Sequence, residues 1–248
     1  MIILKTDDEL KQMREAGRIV AECHALLAKA VKPGVTTMKL DQLVEEKIRS
    51  RGATPSFKGH HGFPASICVA RNDVICHSFP DSTPLLEGDV VTLDVGAHYK
   101  GFHGDSGWTY AVGEVSTKLR KLMEVCHQSL LLGIEQAREG NRVGDIGHAI
   151  DTNAKRHGYG NVRDFTGHGV GRELWEEPTV PNYGLKGKGT RLKNGMTIAI
   201  EPMFTLGDWR AVFDSDGWTA RTLDGSICVQ YEHTIAITEN GPQLLTVL

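Results

Sequence analysis

The chain has 248 residues, enough for one large domain or two small ones with a sizeable core. Lys and Arg number 28 against 31 Asp and Glu, a net charge of −3, which gives no electrostatic case for nucleic acid or an anionic membrane. Five cysteines, an odd number with no CxxC pair, argue against a disulfide framework and for a reducing, cytoplasmic setting.

The segment Met1-Ile2-Ile3-Leu4-Lys5-Thr6-Asp7 lacks the basic and then apolar pattern of a secretory signal, and no run of about 18 apolar residues follows. Thr6 with Glu9 forms a capping box that predicts a helix. Leu10, Met13, Gly17, Val20, Leu27 and Val31 recur at helical spacing, and Pro33-Gly34 stops it. Thr37 caps a second helix with Leu40, Leu43, Val44 and Ile48 inward, ending at Gly52. Strand-like runs lie at about 66–70, 90–96 and 108–113, and Gly96 to Gly107, with Gly101 and Gly104, suits a hairpin turn.

Ser116 or Thr117 opens a third helix carrying Leu119, Leu122, Met123, Cys126, Leu130 and Ile134, ending near Gly140. A shorter helix with Ile146 and Ile150 inward ends at Gly158. Further strand-like runs lie at about 162–166, 197–203 and 227–238. The basic stretch Lys186, Lys188, Arg191 and Lys193 is glycine-rich and reads as a solvated loop; Gly189 after Lys188 breaks a P-loop pattern. Helix pairs alternate with strand groups, which favours a single α+β domain over 1–248, an antiparallel sheet covered by two helix pairs.

The chain also reads as two copies of one unit, approximately 7–112 and 116–240. Gly34 to Gly52 matches Gly140 to Gly158, Leu40 and Val44 match Ile146 and Ile150, and Gly88 before Asp94 matches Gly195 before Glu201. The offset is about 106–107 throughout, and an insertion within 205–226 accounts for its loss further on. Such a pseudo-two-fold domain would place its site between the halves.

Four acids stand in or beside apolar strand-like runs. Asp94 ends Val90-Val91-Thr92-Leu93, and Glu201 ends Thr197-Ile198-Ala199-Ile200. Asp105 precedes Trp108-Thr109-Tyr110-Ala111-Val112, and Glu232 precedes Thr234-Ile235-Ala236-Ile237. Buried charges are costly unless compensated, and no Lys or Arg in the adjacent strands offers itself. With His168 they make an oxygen-rich donor set that suits one or two hard or borderline divalent ions.

Gly104-Asp105-Ser106, Thr166-Gly167-His168-Gly169-Val170-Gly171, Ile200-Glu201-Pro202-Met203 and Gln230-Tyr231-Glu232-His233-Thr234, with Cys76-His77 after Arg71-Asn72-Asp73-Val74, resemble the type I methionine aminopeptidases. The resemblance runs from about residue 5 to the C-terminus. It implies the pseudo-symmetric "pita-bread" fold and removal of the initiator methionine from nascent proteins with a small second residue. It implies two divalent ions, Mn, Fe or Co with Zn also admitted. Asp105 and Glu232 would bridge them, Asp94 would complete one shell, and His168 with Glu201 the other. Glu201 would shuttle the proton, and His77 would hydrogen-bond the substrate near the scissile bond. The methionine pocket would include Phe57, His60, Phe63, Cys68, Leu174 and Trp218. The partner would be the N-terminal peptide of nascent chains, met by a monomer with transient ribosome association and no nucleic-acid or membrane contact.

The chain departs from that pattern at Trp175, where the family usually carries a second, substrate-binding histidine seven residues after the metal histidine. Indole keeps one N–H donor but has another shape and does not titrate. Losing such a donor costs roughly a hundred- to a thousand-fold in turnover. His60 stands where a tyrosine is usual, and Phe57 and Leu174 are also atypical. We expect His60 and Trp175 to reshape the mouth of the site together. Three alternatives follow: an attenuated or non-catalytic paralogue that binds nascent peptides, an aminopeptidase of shifted N-terminal specificity, and an X-Pro aminopeptidase or prolidase. Of the remaining histidines, His24, His127, His148 and His157 read as surface or core-edge groups, His61 as structural, His98 and His103 as flanking the hairpin, and His233 as pointing away from Glu232.

Overall fold

Thr6 Oγ1 accepts from the Glu9 N–H while the Thr6 N–H donates to the Glu9 carboxylate at 2.9 Å, the reciprocal cap expected from the sequence. The computed structural model describes residues 1–248. Helix α1 runs Asp7–Ala30 and α2 Thr37–Ser50. Thr36, not Thr37, caps α2, its Oγ1 accepting from Lys39 N; Thr37 is turned inward, where its hydroxyl accepts from the Asp81 N–H at 2.8 Å.

Next come β1 (Thr54–Pro55), a single 3-10 turn at His60–Gly62, β2 (Ile67–Arg71), β3 (Val74–Cys76), β4 (Val90–Tyr99) and β5 (Phe102–Ala111). The β4–β5 turn is Lys100-Gly101, with φ of 48° and 83°, the left-handed pair that a two-residue hairpin requires. Most of Gly96–Gly107 is therefore strand rather than turn, and the strand expected from 108 begins at Phe102. Gly104 serves close approach: a Cβ there would lie 2.6 Å from Gly17 N, so α1 rests directly on the β5 backbone.

Helix α3 (Thr117–Gln136) is capped by Ser116, and α4 (Val143–His157) ends at left-handed Gly158, as expected. Helix α3 stops before Gly140, which turns in the loop beyond it with φ 91°. The second half continues with β6 (Gly160–Asn161), β7 (Gly167–Gly169), β8 (Glu176–Val180), β9 (Thr197–Ile200), β10 (Met203–Thr205), β11 (Ala211–Phe213), β12 (Ala220–Thr222), β13 (Cys228–Gln230), β14 (His233–Thr238) and β15 (Gly241–Leu244).

The single antiparallel sheet expected is divided into four antiparallel ladders: β1-β4-β2 with β5 on β4, β13-β10-β6, β11-β12-β3 and β15-β14-β9-β7-β8. A Trp108↔Tyr231 bridge links two of them. Helices α1 and α2 bury Ile19, Val20, Leu40 and Val44 against Val91, Leu93 and Val95 of β4. Helices α3 and α4 bury Leu122, Leu130, Ile146 and Ile150 against Ile198, Ile200, Val229 and Ile235. Each such side chain stabilises the fold by roughly 1.5–3 kcal/mol. Because strand side chains alternate, residues 92, 94 and 96 of β4 face away from the helices, toward the site.

Three strand expectations need correction. Residues 162–166 form no strand; only Gly160–Asn161 pair, and Asp164, Phe165 and Thr166 border a cavity instead of a neighbouring strand. The run 197–203 breaks at Glu201-Pro202, and 227–238 breaks at Tyr231-Glu232. At both breaks the chain passes between the three-stranded β10–β13 ladder and the five-stranded one. Residues 205–226 hold the β11–β12 hairpin, whose second strand pairs with β3 just before His77.

Candidate metal centre and peptide pocket

Asp94 and Asp105 share one face of the β4–β5 ladder. Asp94 lies opposite Gly107 and Asp105 opposite Gly96, so each acid has an empty position across from it. A Cβ at Gly107 would sit 3.2 Å from Glu232 Oε2, which shows how closely the second half approaches. Glu232 N donates to Gly107 O at 2.7 Å, and Ser106 Oγ donates to Glu232 O at 2.6 Å. Thr234 Oγ1 donates to Asp105 O at 2.7 Å. These bonds stitch the two sheets together at the acids.

Glu201 and Glu232 occupy the two sheet-switch points, where regular pairing lapses and side chains are free to turn into the gap. His168 stands in the middle of β7 between Gly167 and Gly169, where a Cβ would meet Ala199 O at 2.3 Å and Glu177 O at 2.3 Å. Only glycine lets β7 lie that deep.

Asp105, Glu201 and Glu232 are buried, and Asp94 is nearly so. The imidazole nearest them is His168, whose Nε2 lies 3.8 Å from Asp105 and 3.7 Å from Glu201; no Lys or Arg pairs with any of them. Burial raises the Asp94 carboxyl to about 6. Burial, with the charges of Asp94 and Glu201, raises Asp105 further, and burial and neighbouring carboxylates raise Glu201 and Glu232 likewise. Asp94 Oδ1 and Asp105 Oδ1 are buried without a hydrogen-bond partner. His168 Nδ1 donates to Gly169 O at 2.8 Å, which leaves the Nε2 lone pair facing the acids. Burial lowers its pKa to about 4, so the ring is neutral at pH 7. Ligand atoms of Asp105, His168 and Glu232 lie within 4.8 Å of one another. Orphaned carboxylate oxygens, uncompensated negative charge and a free imidazole lone pair fit divalent cations, and the salt-bridged alternative has no partner to supply it.

A cavity of about 320 Å³ opens above these groups. His77, Phe57, His60, Phe63, Cys68, Trp175 and Trp218 line it with all five donors. Leu174 packs behind it with Phe57, Phe63 and Cys68. Trp218, brought in by the β11–β12 hairpin, meets Phe63 edge to face at 5.2 Å. His77 has a left-handed φ of 61° and meets Phe165 edge to face at 5.6 Å. At the mouth, His60 and Trp175 pack edge to face with centroids 4.8 Å apart, a contact that the sequence alone could not show.

Phe165 and Thr166 also line the cavity, and the sequence reading passed over them because it took 162–166 for strand; Met203, the first residue of β10, lines it as well. His24 is corrected from surface or core-edge to buried, with Nε2 2.8 Å from Ser106 O and Nδ1 2.8 Å from Tyr110 OH. It braces the strand residue next to Asp105. His61 is exposed and stacks on Trp175 at 5.9 Å and 12°.

The fold and donor set define a metallopeptidase. The model of metallopeptidase family M24 matches residues 11–239, and the chain belongs to that family. Methionine aminopeptidase 1 of Bacillus subtilis (strain 168) is 49% identical over 99% of both chains. The crystal structure of methionine aminopeptidase from Rickettsia prowazekii superposes with a TM-score of 0.98 at 41% identity, covering both chains fully. A prolidase from Pyrococcus furiosus is more distant, with a TM-score of 0.82 at 26% identity, and this chain covers 66% of its length.

Proposed function

We propose that this protein removes the N-terminal methionine from nascent proteins whose second residue is small. The observation that carries the reading is the cluster of four uncompensated carboxylates and one neutral imidazole beneath an apolar slot, in a chain so close to the methionine aminopeptidases. Asp105 and Glu232 would hold two ions in common, Asp94 one of them, and His168 with Glu201 the other. Bound there, the ions supply a nucleophilic water at neutral pH and polarise the scissile carbonyl.

The chain's own groups do the rest. Glu201 takes the proton of the attacking water and passes it to the leaving amine. His77 hydrogen-bonds the peptide beside the scissile bond. Phe57, Phe63, Cys68, Leu174 and Trp218 exclude water from the thioether side chain. The reading extends to Mn, Fe or Co as the working ions with Zn also serving, and to a cytoplasmic monomer with transient ribosome contact. It also takes 1–248 as one metallo-aminopeptidase domain built from an internal pseudo-repeat, 7–112 and 116–240, a reading supported by the paired cores under α1–α2 and α3–α4.

Trp175 favours a second reading of the same chemistry, with attenuated turnover or shifted N-terminal specificity, because its large ring stands exposed at the mouth (47%). Methionine release from Met-Ala-Ser and Met-Gly-Met-Met, by metal-stripped protein with Mn, Co, Fe or Zn restored, tests both. Metal-dependent release supports the assignment. Release of another N-terminal residue in preference to methionine supports the shifted form, and no release of any residue sinks the peptidase reading.

A further inference from the structure

The rim of the cavity carries a strand with one side open. Strand β11 pairs with β12 alone, so its other edge has no neighbouring strand. Leu223 N donates to Arg210 O and Asp214 N to Thr219 O, both at 2.9 Å, which makes 210, 212 and 214 the residues bonded to β12. By alternation, Ala211 and Phe213 turn their N–H and C=O groups outward. Ala211 N donates there to Asp164 Oδ2 at 3.3 Å. Asp164 lines the cavity, as does Phe165, whose ring meets that of Phe213 at 6.1 Å. The edge is therefore held against the cavity wall at Ala211 and left open at Phe213. No group of the chain takes up the outward N–H and C=O of Phe213, and the residue is 64% exposed. An open strand edge with apolar side chains is a template for another extended chain.

We propose that the substrate residues after the scissile bond leave the cavity along β11 as an added strand, pairing main chain to main chain with Phe213 and resting side chains on the Phe165–Phe213 pair. The inference rests on the peptidase reading above, in which His77 flanks the scissile bond. From His77 two ring contacts lead outward, to Phe165 at 5.6 Å and on to Phe213 at 6.1 Å. An extended chain advances roughly 3.3 Å per residue, so about three or four residues beyond that bond reach Phe213. Strand addition suits such a substrate, because main-chain bonds are the same for every sequence and nascent chains differ from one another beyond the second residue. The occupant is the substrate, not a second protein. The edge is continuous with the cavity wall, and one free residue falls far short of the roughly 800 Å² per partner of a stable protein interface.

The test reads kcat/KM of the metal-loaded protein for Met-Ala amide and for Met-Ala-Ser-Ser-Ser amide, whose added residues supply main chain with little side chain. The wild type should favour the longer peptide roughly tenfold, the worth of one or two net hydrogen bonds. Phe213→Pro removes the outward N–H and takes no bond from the β11–β12 ladder, a substitution that edge strands accept. It should bring that ratio close to one, through KM more than kcat. Phe213→Ala keeps the N–H and loses the ring. It should retain the ratio and lose the advantage that the wild type gives Met-Ala-Val-Val-Val amide over the serine peptide. A wild-type ratio near one overturns the proposal, as does an equal ratio in wild type and Phe213→Pro. If the proline variant does not fold, an undiminished valine advantage in Phe213→Ala overturns it. If the wild type releases no methionine, the peptidase reading fails separately. Calorimetric titration with the uncleaved serine peptide then decides for β11, and absent binding or equal Kd in wild type and Phe213→Pro overturns it.

Discussion

Lys5 and Glu176, 171 residues apart, form an ion pair with side chains only 3% and 6% exposed, and Glu176 directly follows Trp175 in the chain. Glu176 Oε1 also accepts from the N–H groups of Arg172 at 2.8 Å and Glu173 at 3.3 Å, so it organises the loop that carries Leu174 and Trp175. Lys5 Nζ donates to Ile3 O at 3.1 Å, which ties that loop to the start of the chain.

Lys5→Met strands a buried carboxylate. The expected cost is about 3–5 kcal/mol of unfolding free energy, the usual result of removing one partner of a dry pair. Urea denaturation measures it, and a loss below about 1 kcal/mol would show the pair to be solvated. Activity on peptides should fall as well, because the wall formed by Leu174 and Trp175 loosens.

Metal stoichiometry tests the donor assignment. Calorimetric titration of stripped wild type should give two ions per chain, and His168→Ala should bind one and lose methionine release. The fold should survive, since the imidazole points into the cavity. One ion in the wild type would replace the dinuclear reading with a mononuclear one.

The acids predict an unusual pH dependence in the metal-free protein. The Asp94 carboxyl is raised from 3.8 to about 6, chiefly by burial. Between those values the folded state keeps a proton that the unfolded state has released, so stability falls as pH rises through that window. Asp94→Asn removes the effect. Its urea midpoint relative to metal-free wild type should climb from about pH 4 to about pH 6 and then level off, and saturating Mn should reverse the order at neutral pH. A gap that does not vary with pH would place Asp94 in its ionised form throughout.

Trp175→His restores a compact donor that titrates near neutrality. Adding a donor of this kind is worth roughly a hundredfold in kcat, with less change in KM. A variant no faster than wild type on Met-Ala-Ser would mean that the indole, or the contact it makes with His60, already serves the turnover step.

Legibility in the sequence followed the range of the forces involved. The Thr6–Glu9 cap, the helix faces and the left-handed Gly158 stop act within a few residues, and the sequence reading located them. The four acids stood out because a charge beside an apolar strand has few structural uses, and the structure gathers them with His168 around one cavity. Long-range partners were not legible: nothing local to Lys5 points to Glu176, and nothing local to His24 points to Ser106. The strand expected at 162–166 failed because apolar residues facing a cavity look the same as apolar residues facing a neighbouring strand. The unbroken strand at 197–203 overlooked Pro202, which has no N–H to give a ladder; the one at 227–238 failed because the break at Tyr231-Glu232 comes from a change of partner ladder, which β-propensity does not record.

At Gly17 and Gly104 the helix and the strand meet main chain to main chain. The spacing there is fixed by the radii of backbone atoms, which mutation does not change. Asp105, one residue along, thus takes its position from a contact that contains no variable part. Side chains around α1 can be exchanged for larger or smaller ones and Asp105 will keep its place, provided both glycines persist. Divergence is cheap in the surrounding core and costly at two positions that carry no side chain at all.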